Sequence, residues 1–251
     1  MFYEKVRGRG SFYAFGELEE IPGFVHAITS RRSDHSQNTP KDAFPPGEVA
    51  SAKTDVLAAL DIGRAELLLL QQIHSALIVR DSEWGQEKVE GPPAADGILL
   101  VDTERFGVIQ TADCLPLILV APHERACCIL HAGWRGTRSH IARVGVAALT
   151  TACGVEPGSV VAALGPCIRS CCYEVGPEVI REFATEGHSL KRVALGTHLD
   201  LVEANRADLE STGIRQIIDS GLCTSCHQDL FYSYRATKDS GRMWTVAGFR
   251  S

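Results

Sequence analysis

Apolar and polar positions divide the chain into short apolar runs bounded by turn-forming residues. Residues 12–15 and 25–28 read as strands on either side of Ile21-Pro22-Gly23. Residues 31–50 are polar and contain Pro40, Pro45 and Pro46, which predicts a flexible loop able to lie over a site. A short helix is expected over 53–60, strands over 67–70 and 73–79, and a loop over 85–95. Four compact strands follow at 98–101, 107–109, 115–120 and 126–130. The segment 139–153 carries Ile141, Val144, Ala148 and Leu149 at helical spacing, and 160–164 is a further strand. Pro177 stands where helices accept proline, at the start. Asp200 and Glu203 form a capping box before a helix that ends at Gly213. Strands at 214–218 and 245–248 complete the pattern. Several strands follow one another without room for a helix, so regular βαβ units are excluded and one α/β or α+β domain over 1–251 is expected.

Composition narrows the partners. Lys and Arg number 25 against 31 Asp and Glu, a net charge of -6, which argues against a general nucleic-acid binder. Apolar runs such as 67–70 are far too short for a membrane span. The start, MFYEKVRGRG, lacks an apolar signal segment, so a cytoplasmic location is expected. Nine cysteines, with adjacent pairs at Cys127-Cys128 and Cys171-Cys172, fit a reducing compartment. Cys223 to His227 spell C-T-S-C-H, the attachment signature of a c-type haem. That chemistry needs export and an axial partner beyond His227, and the nearest methionine, Met243, falls in a strand-like stretch. Haem is therefore rejected.

Polar chemistry concentrates in Q-I-H-S (Gln72 to Ser75), T-A-D-C-L-P (Thr111 to Pro116) and H-A-G-W-R-G (His131 to Gly136). A hairpin centred near His123 places Leu115 opposite His131 and Cys114 opposite Ala132. Cys114 and His131 then share one open end, with His74 able to converge from a neighbouring strand. Two histidines and a cysteine give zinc three protein ligands and one open position, the pattern of a catalytic site. The same residues also fit a thiolate nucleophile paired with a base, or two core histidines and an unrelated buried thiol. Gly133 and Gly136 permit a sharp turn around Trp134-Arg135, where Arg135 can hold an anion. Cys171, Cys172, Cys223 and Cys226 have the right number for a second zinc site, but the adjacent pair has the wrong spacing for a knuckle.

These three stretches, together with G-P-C-I-x3-C-Y-E-V (Gly165 to Val175) and C-T…F-Y-S-Y-R…G-R (Cys223 to Arg242), occur in one order. In that order they resemble the multicopper polyphenol oxidase (laccase-like) family, also described as purine nucleoside phosphorylases and as a peptidoglycan editing factor. The resemblance runs from about Val25 to the C-terminus. It implies a layered α/β/β/α sandwich, an α+β fold with central mixed sheets similar to that of cytotoxic-factor-like cysteine hydrolases. It implies His74, Cys114 and His131 as metal ligands, with zinc ahead of copper. The activity implied is phosphorolysis of adenosine, inosine, guanosine and methylthioadenosine to free base and ribose 1-phosphate, with adenosine deamination beside it. Transferase and hydrolase are thus the implied descriptors, and the family name adds copper, oxidoreductase and laccase-like.

Arg31 and Arg135 are the candidates for holding phosphate, since a guanidinium binds it bidentately. Arg135 also fits a structural salt bridge. Asp113 fits either an orienting role or a turn cap, and Gln72, two residues from His74, can face substrate or support a ligand. Tyr232 and Tyr234 have the period of one packed strand face. The family's H-G-F-S-T-R-x-G-G-V-S reads H-A-I-T-S-R-R-S-D-H-S from His26 to Ser36: Arg31 is kept, the double glycine is lost, and Asn38 stands in for an asparagine. Ser75 replaces a glycine often found after the first ligand histidine. A laccase would need several coppers and a histidine-rich cluster, which two histidines in matched motifs do not supply. Purine nucleoside and phosphate are the expected partners of a monomer or homodimer. The alternatives are a cytoplasmic peptidoglycan-precursor editing hydrolase using the same Cys/His site, and a catalytically silent metal- or partner-binding protein.

Overall fold

The computed structural model describes residues 1–7, 10–32, 54–63, 65–84 and 91–251. Of the expected loop over 31–50 only Arg31 and Arg32 fall among these, and Asn38 lies outside them. Strands form where the apolar runs stand and pair into two six-stranded mixed sheets. The first takes β1 (Phe2–Arg7), β2 (Gly10–Phe15), β3 (Phe24–Thr29), β4 (Glu66–Leu69), β7 (Arg105–Thr111) and β14 (Met243–Phe249). Their order is β1-β2-β3-β14-β7-β4. All pairs are antiparallel except β4 with β7. The second takes β5 (Ile78–Arg80), β6 (Gly97–Leu100), β8 (Leu115–Ala121), β9 (Ala126–Ala132), β10 (Val161–Leu164) and β13 (Gln216–Asp219). Its order is β13-β10-β8-β9-β6-β5, with parallel pairs at both edges, and β11 (Ala194–Leu195) pairs separately with β12 (His198–Leu199).

Alternation along these strands sorts the side chains into layers. Ile98 and Leu100 of β6, Ile118 and Val120 of β8, and Ile129 of β9 face inward against Ile28, Leu68, Ile109 and Phe249 of the first sheet. Gly107 of β7 lets the sheets close, since a Cβ there would stand 2.6 Å from Ile129 Cδ1. The intervening positions, Leu99, Leu117, Leu119, Cys128 and Leu130, face outward onto helices α4 (Ile141–Cys153) and α7 (Leu201–Thr212). On the other side Leu67, Leu69, Phe106 and Trp244 pack against Val56 and Leu60 of α2, the helix over residues 54–60. The result is an α+β sandwich of two mixed sheets with helices on both flanks.

Local signals hold at several ends. Asp200 caps α7 through Glu203 N (3.0 Å), and Gly213 ends it at φ 95. Glu203 spends its carboxylate on Arg192 and Arg206, so only half of the expected capping box forms. The helix expected over 139–153 forms as α4 (Ile141–Cys153), starting two residues late because His140 at φ 58 separates it from the short helix α3 (Trp134–Arg138). The expected strand over 73–79 shrinks to Ile78–Arg80 because a buried carboxylate binds the amides before it. Tyr232 and Tyr234 do not share a strand face: Tyr232 is buried, while Tyr234 starts the short helix α8 (Tyr234–Thr237). The hairpin is one residue out of the expected register. Leu115 opposes Ala132 and Pro116 opposes His131, because Ala121 pairs with Ala126 across a four-residue turn with Arg125 at φ 52.

Pairing of β2 with β3 stops at Tyr13 and Ile28, and a side chain takes over. Phe15 N donates to His26 Nε2 (2.8 Å), whose ring stacks between Phe15 and Phe24. Burial pushes the His26 pKa down to about 4, against the pull of Glu19. A folded pKa below the unfolded one means this contribution is complete above about pH 6.5 and is lost as pH falls toward 4, by about 3 kcal/mol. Chemical denaturation at pH 7 and pH 4.5 should show that loss in the wild type and a smaller one in His26→Gln. Equal losses in both would assign the acid sensitivity elsewhere.

Candidate functional site

The corrected register makes the site. Cys114 immediately precedes β8 and has the parity of Pro116, which opposes His131. Cys114 and His131 therefore share a face, one diagonal step apart; the register expected from the sequence would have set them on opposite faces. His74 joins them from the turn before β5, with φ 61. One donor atom from each of His74, Cys114 and His131 lies within 4.8 Å of the others. The two imidazoles meet edge to face, with centroids 4.8 Å apart.

Asp96, wholly buried at the head of β6, organises this cluster. Its carboxylate accepts the N–H of Ile73 (3.3 Å), His74 (2.9 Å) and Ser75 (2.5 Å), and the Ser75 hydroxyl (2.7 Å). Three successive amides on one carboxylate hold the backbone in the turn that His74 occupies at positive φ. The same carboxylate accepts His131 Nδ1–H at 2.8 Å. That bond fixes the tautomer, leaving His131 Nε2 for Cys114 or a metal. Burial raises the Asp96 pKa, but the hydrogen bonds from His131 and Ser75 outweigh it and hold the group below its usual value.

Electrostatics favour ligation. Burial pushes the Cys114 thiol up, but the charge and hydrogen bond of His131, with help from His74, bring it down to about 6. Burial lowers His131, and the Cys114 thiolate with Asp96 overcomes this to raise it to about 9. Each group thus favours the charged form of the other, and a cation can take the place of the proton between them. The donor set suits zinc: borderline-soft sulfur and nitrogen, three ligands, and one position left for water or substrate. Gly133 leaves the necessary room. A Cβ at Gly133 would stand 3.0 Å from Cys114 Sγ and 3.1 Å from His74 Cδ2. Gly133→Ala should cost about 1–3 kcal/mol and lower zinc occupancy. Thermal unfolding and metal analysis of the purified variant check this, and wild-type values in both would show the contact to be slack.

The other expected residues divide. Gln72 spends both ends of its amide on the backbone of Gln110, through Nε2 to O (2.8 Å) and Oε1 to N (2.7 Å), and ties the turn to β7. Asp113, at φ 94, accepts Thr224 Oγ1 (2.7 Å) and Arg235 N (2.7 Å), which binds the C-T element to the loop before Cys114. Arg135 lies exposed over the Trp134 ring at 4.4 Å. Arg31 packs over Tyr232 at 5.0 Å and reaches Asp239 at 3.2 Å. Asp239 O also accepts Arg242 Nη1 at 3.4 Å. Burial holds the Arg242 pKa below its usual value, while Cys114 and Asp113 pull it up. Arg242 is thus a cation beside the cluster, and the sequence offered it only as the end of a motif. Asp96 was missed as well: it follows P-P-A-A without any pattern that marks an acid as a hub. Trp134, Tyr173 and Arg235 line a cleft of about 630 Å³, formed with residues 174–179 and Thr197. The Tyr173 phenol is raised by burial and by the Cys114 charge.

The family described as multi-copper polyphenol oxidoreductase laccase matches residues 34–250. A purine nucleoside phosphorylase of Deinococcus radiodurans is 34% identical over 234 residues, covering 89% of this chain and 88% of that protein. Adenosine deaminase RL5, from an unknown prokaryotic organism, is 31% identical over 211 residues, covering 78% and 80%. The crystal structure of Bacillus licheniformis hypothetical protein YfiH matches with TM-score 0.85 at 25% identity, over 98% of this chain and 99% of that one. The expected descriptors copper, oxidoreductase and laccase-like are corrected by these findings. Among the described residues the matched motifs supply a single two-histidine, one-cysteine cluster, and the relatives are named phosphorylase and deaminase. Oxygen reduction by a laccase needs several coppers in a histidine-rich array.

Proposed function

We propose, from the premise that this chain belongs to the multi-copper polyphenol oxidoreductase laccase family, that it is a zinc-dependent purine nucleoside phosphorylase with adenosine deaminase side activity. The observation that carries the reading is the Asp96 hub. One buried carboxylate sets His74 in its turn and turns His131 Nε2 toward Cys114, so that two imidazoles and a thiol converge on one point. The layered arrangement similar to cytotoxic-factor-like cysteine hydrolases belongs to this reading, as does a single domain over 1–251.

His74, Cys114 and His131 would hold the ion, which when bound supplies Lewis acidity and a water of lowered pKa. The chain's own residues do the rest. Arg31, Arg135 and Arg242 hold phosphate by bidentate hydrogen bonds. Phosphate oxygen forms a bond to the anomeric carbon as the bond to the purine nitrogen breaks, and its electron pair leaves with the base. Trp134 and Tyr173 offer apolar walls that bind the purine and exclude water. Asp113 and Gln72 act as positioning residues, since the acceptors and donors they display are engaged with Thr224, Arg235 and Gln110.

The test is base release from adenosine and inosine by the zinc-loaded protein, with and without phosphate, and inosine formation from adenosine. Phosphate-dependent release of free base and ribose 1-phosphate is expected, and release indifferent to phosphate sinks the reading. A second reading rests on the Cys114 thiolate beside His131, which suits a cysteine hydrolase editing a peptidoglycan precursor. Activity that survives chelation would favour it. Tight zinc with no turnover of either class would leave a binding role.

A further inference from the structure

Four cysteines in the segments that hold Asp113 have no part in the reaction proposed above. Cys171, Cys172, Cys223 and Cys226 come from two separate turns, and one sulfur from each lies within 4.8 Å of all the others. Cys172 Sγ stands 3.4 Å and Cys171 Sγ 3.6 Å from Cys226 Sγ. All four are free thiols. A disulfide needs sulfurs at about 2.05 Å, so these are not bonded pairs. Four sulfurs around one zinc at about 2.3 Å stand about 3.8 Å from each other, which is close to what these thiols already do. We propose that Cys171, Cys172, Cys223 and Cys226 bind a second, structural zinc ion.

The adjacency of Cys171 and Cys172 looked unsuited to a knuckle, because neighbouring side chains on an extended chain point apart. Here a turn resolves it, with Cys172 N and Tyr173 N both donating to Arg169 O. Cys223 and Cys226 have the two-residue gap of a zinc knuckle, inside a turn closed by His227 N to Cys223 O. The sulfur of Cys223 already receives Arg169 N–H at 3.5 Å. Such an amide donated to a ligand sulfur is the outer support that cysteine metal sites use. A third cluster, His140, His188 and Asp208, makes a useful contrast. Both nitrogens of His140, both oxygens of Asp208 and Nε2 of His188 are already engaged with protein partners, so that cluster is held together by its own hydrogen bonds.

The placement gives this ion a purpose. It would clamp the segment from Cys167 to Tyr173 to the segment from Cys223 to Cys226, and both hold the loop before Cys114. Ile168 N donates to Asp113 O (2.9 Å) and Thr224 Oγ1 to Asp113 Oδ1 (2.7 Å). It also explains C-T-S-C without haem, since the two cysteines of that signature are spent in this cluster.

The test is metal content of the full chain, purified under reducing conditions and loaded with zinc, as wild type, His74→Ala/Cys114→Ala and Cys171→Ser/Cys226→Ser. Two zinc ions per chain in wild type and one in each double variant are expected. Cobalt added to the His74→Ala/Cys114→Ala protein should give an intense thiolate-to-cobalt absorption band that the serine variant loses. Cys171 and Cys226 are exposed, so their replacement leaves folding readable by circular dichroism. One ion in wild type and none in His74→Ala/Cys114→Ala overturns the proposal. So does a native mass lower by two hydrogens with no metal, which would make the cluster a disulfide.

Discussion

Asp96→Ala should lower stability by about 3–5 kcal/mol and zinc affinity by about 10- to 100-fold. The first loss arises because three backbone amides, the Ser75 hydroxyl and His131 would all lose one buried acceptor. The second arises because His131 would lose the bond that selects its tautomer and His74 the turn that aims it. Equilibrium denaturation and competition with a chelator measure the two effects. Asp96→Asn separates them, since an amide keeps one acceptor oxygen for the turn and brings an N–H into conflict with one of the donors. Zinc affinity within threefold of wild type in Asp96→Ala would remove the carboxylate from its place at the centre of the site.

Cys114→Ala carries the second large effect. Loss of a ligand rather than its support should reduce zinc-dependent turnover by more than the about 100-fold upper range of outer partners. Stability of the metal-free protein should change by only about 1 kcal/mol, because the thiolate's burial opposes its attraction to His131. The His131 pKa should fall from about 9, since the Cys114 charge is among the groups that raise it. Nuclear magnetic resonance titration of the imidazole reads this directly in the metal-free protein. An unchanged His131 titration would mean that Asp96 alone sets it.

Much of the site was legible because its chemistry lies in short motifs. His74, Cys114 and His131 could be picked out from strands and turns, and the structure gathers them. Their geometry was not legible. The hairpin register depends on a four-residue turn whose Arg125 adopts positive φ, and nothing in P-H-E-R announces that. The strand expected through Ile73 fails for a related reason: its apolar pattern is local, while Asp96, which bends it, is more than twenty residues away. The charged alternation of β1, F-Y-E-K-V-R, concealed a strand at a sheet edge. Layering was not legible in periodicity, since β6, β8 and β9 are buried along their whole length and their two faces are equally apolar; it came only from the family resemblance. Spatial union of the four cysteines was not, since it requires a turn to fold two neighbours onto one point.

The place of β14 has a consequence for the newborn chain. It lies between β3 and β7, pairing with Phe24–Ile28 on one side and Phe106–Thr111 on the other. The second sheet draws on residues 78–219 alone and can assemble while translation continues. The first must wait with an open slot, two bare strand edges held apart until β14, translated after every other strand, emerges to fill it. During that interval those edges can pair with other nascent chains. The ribosome, rather than the folded protein, is where this architecture is most exposed.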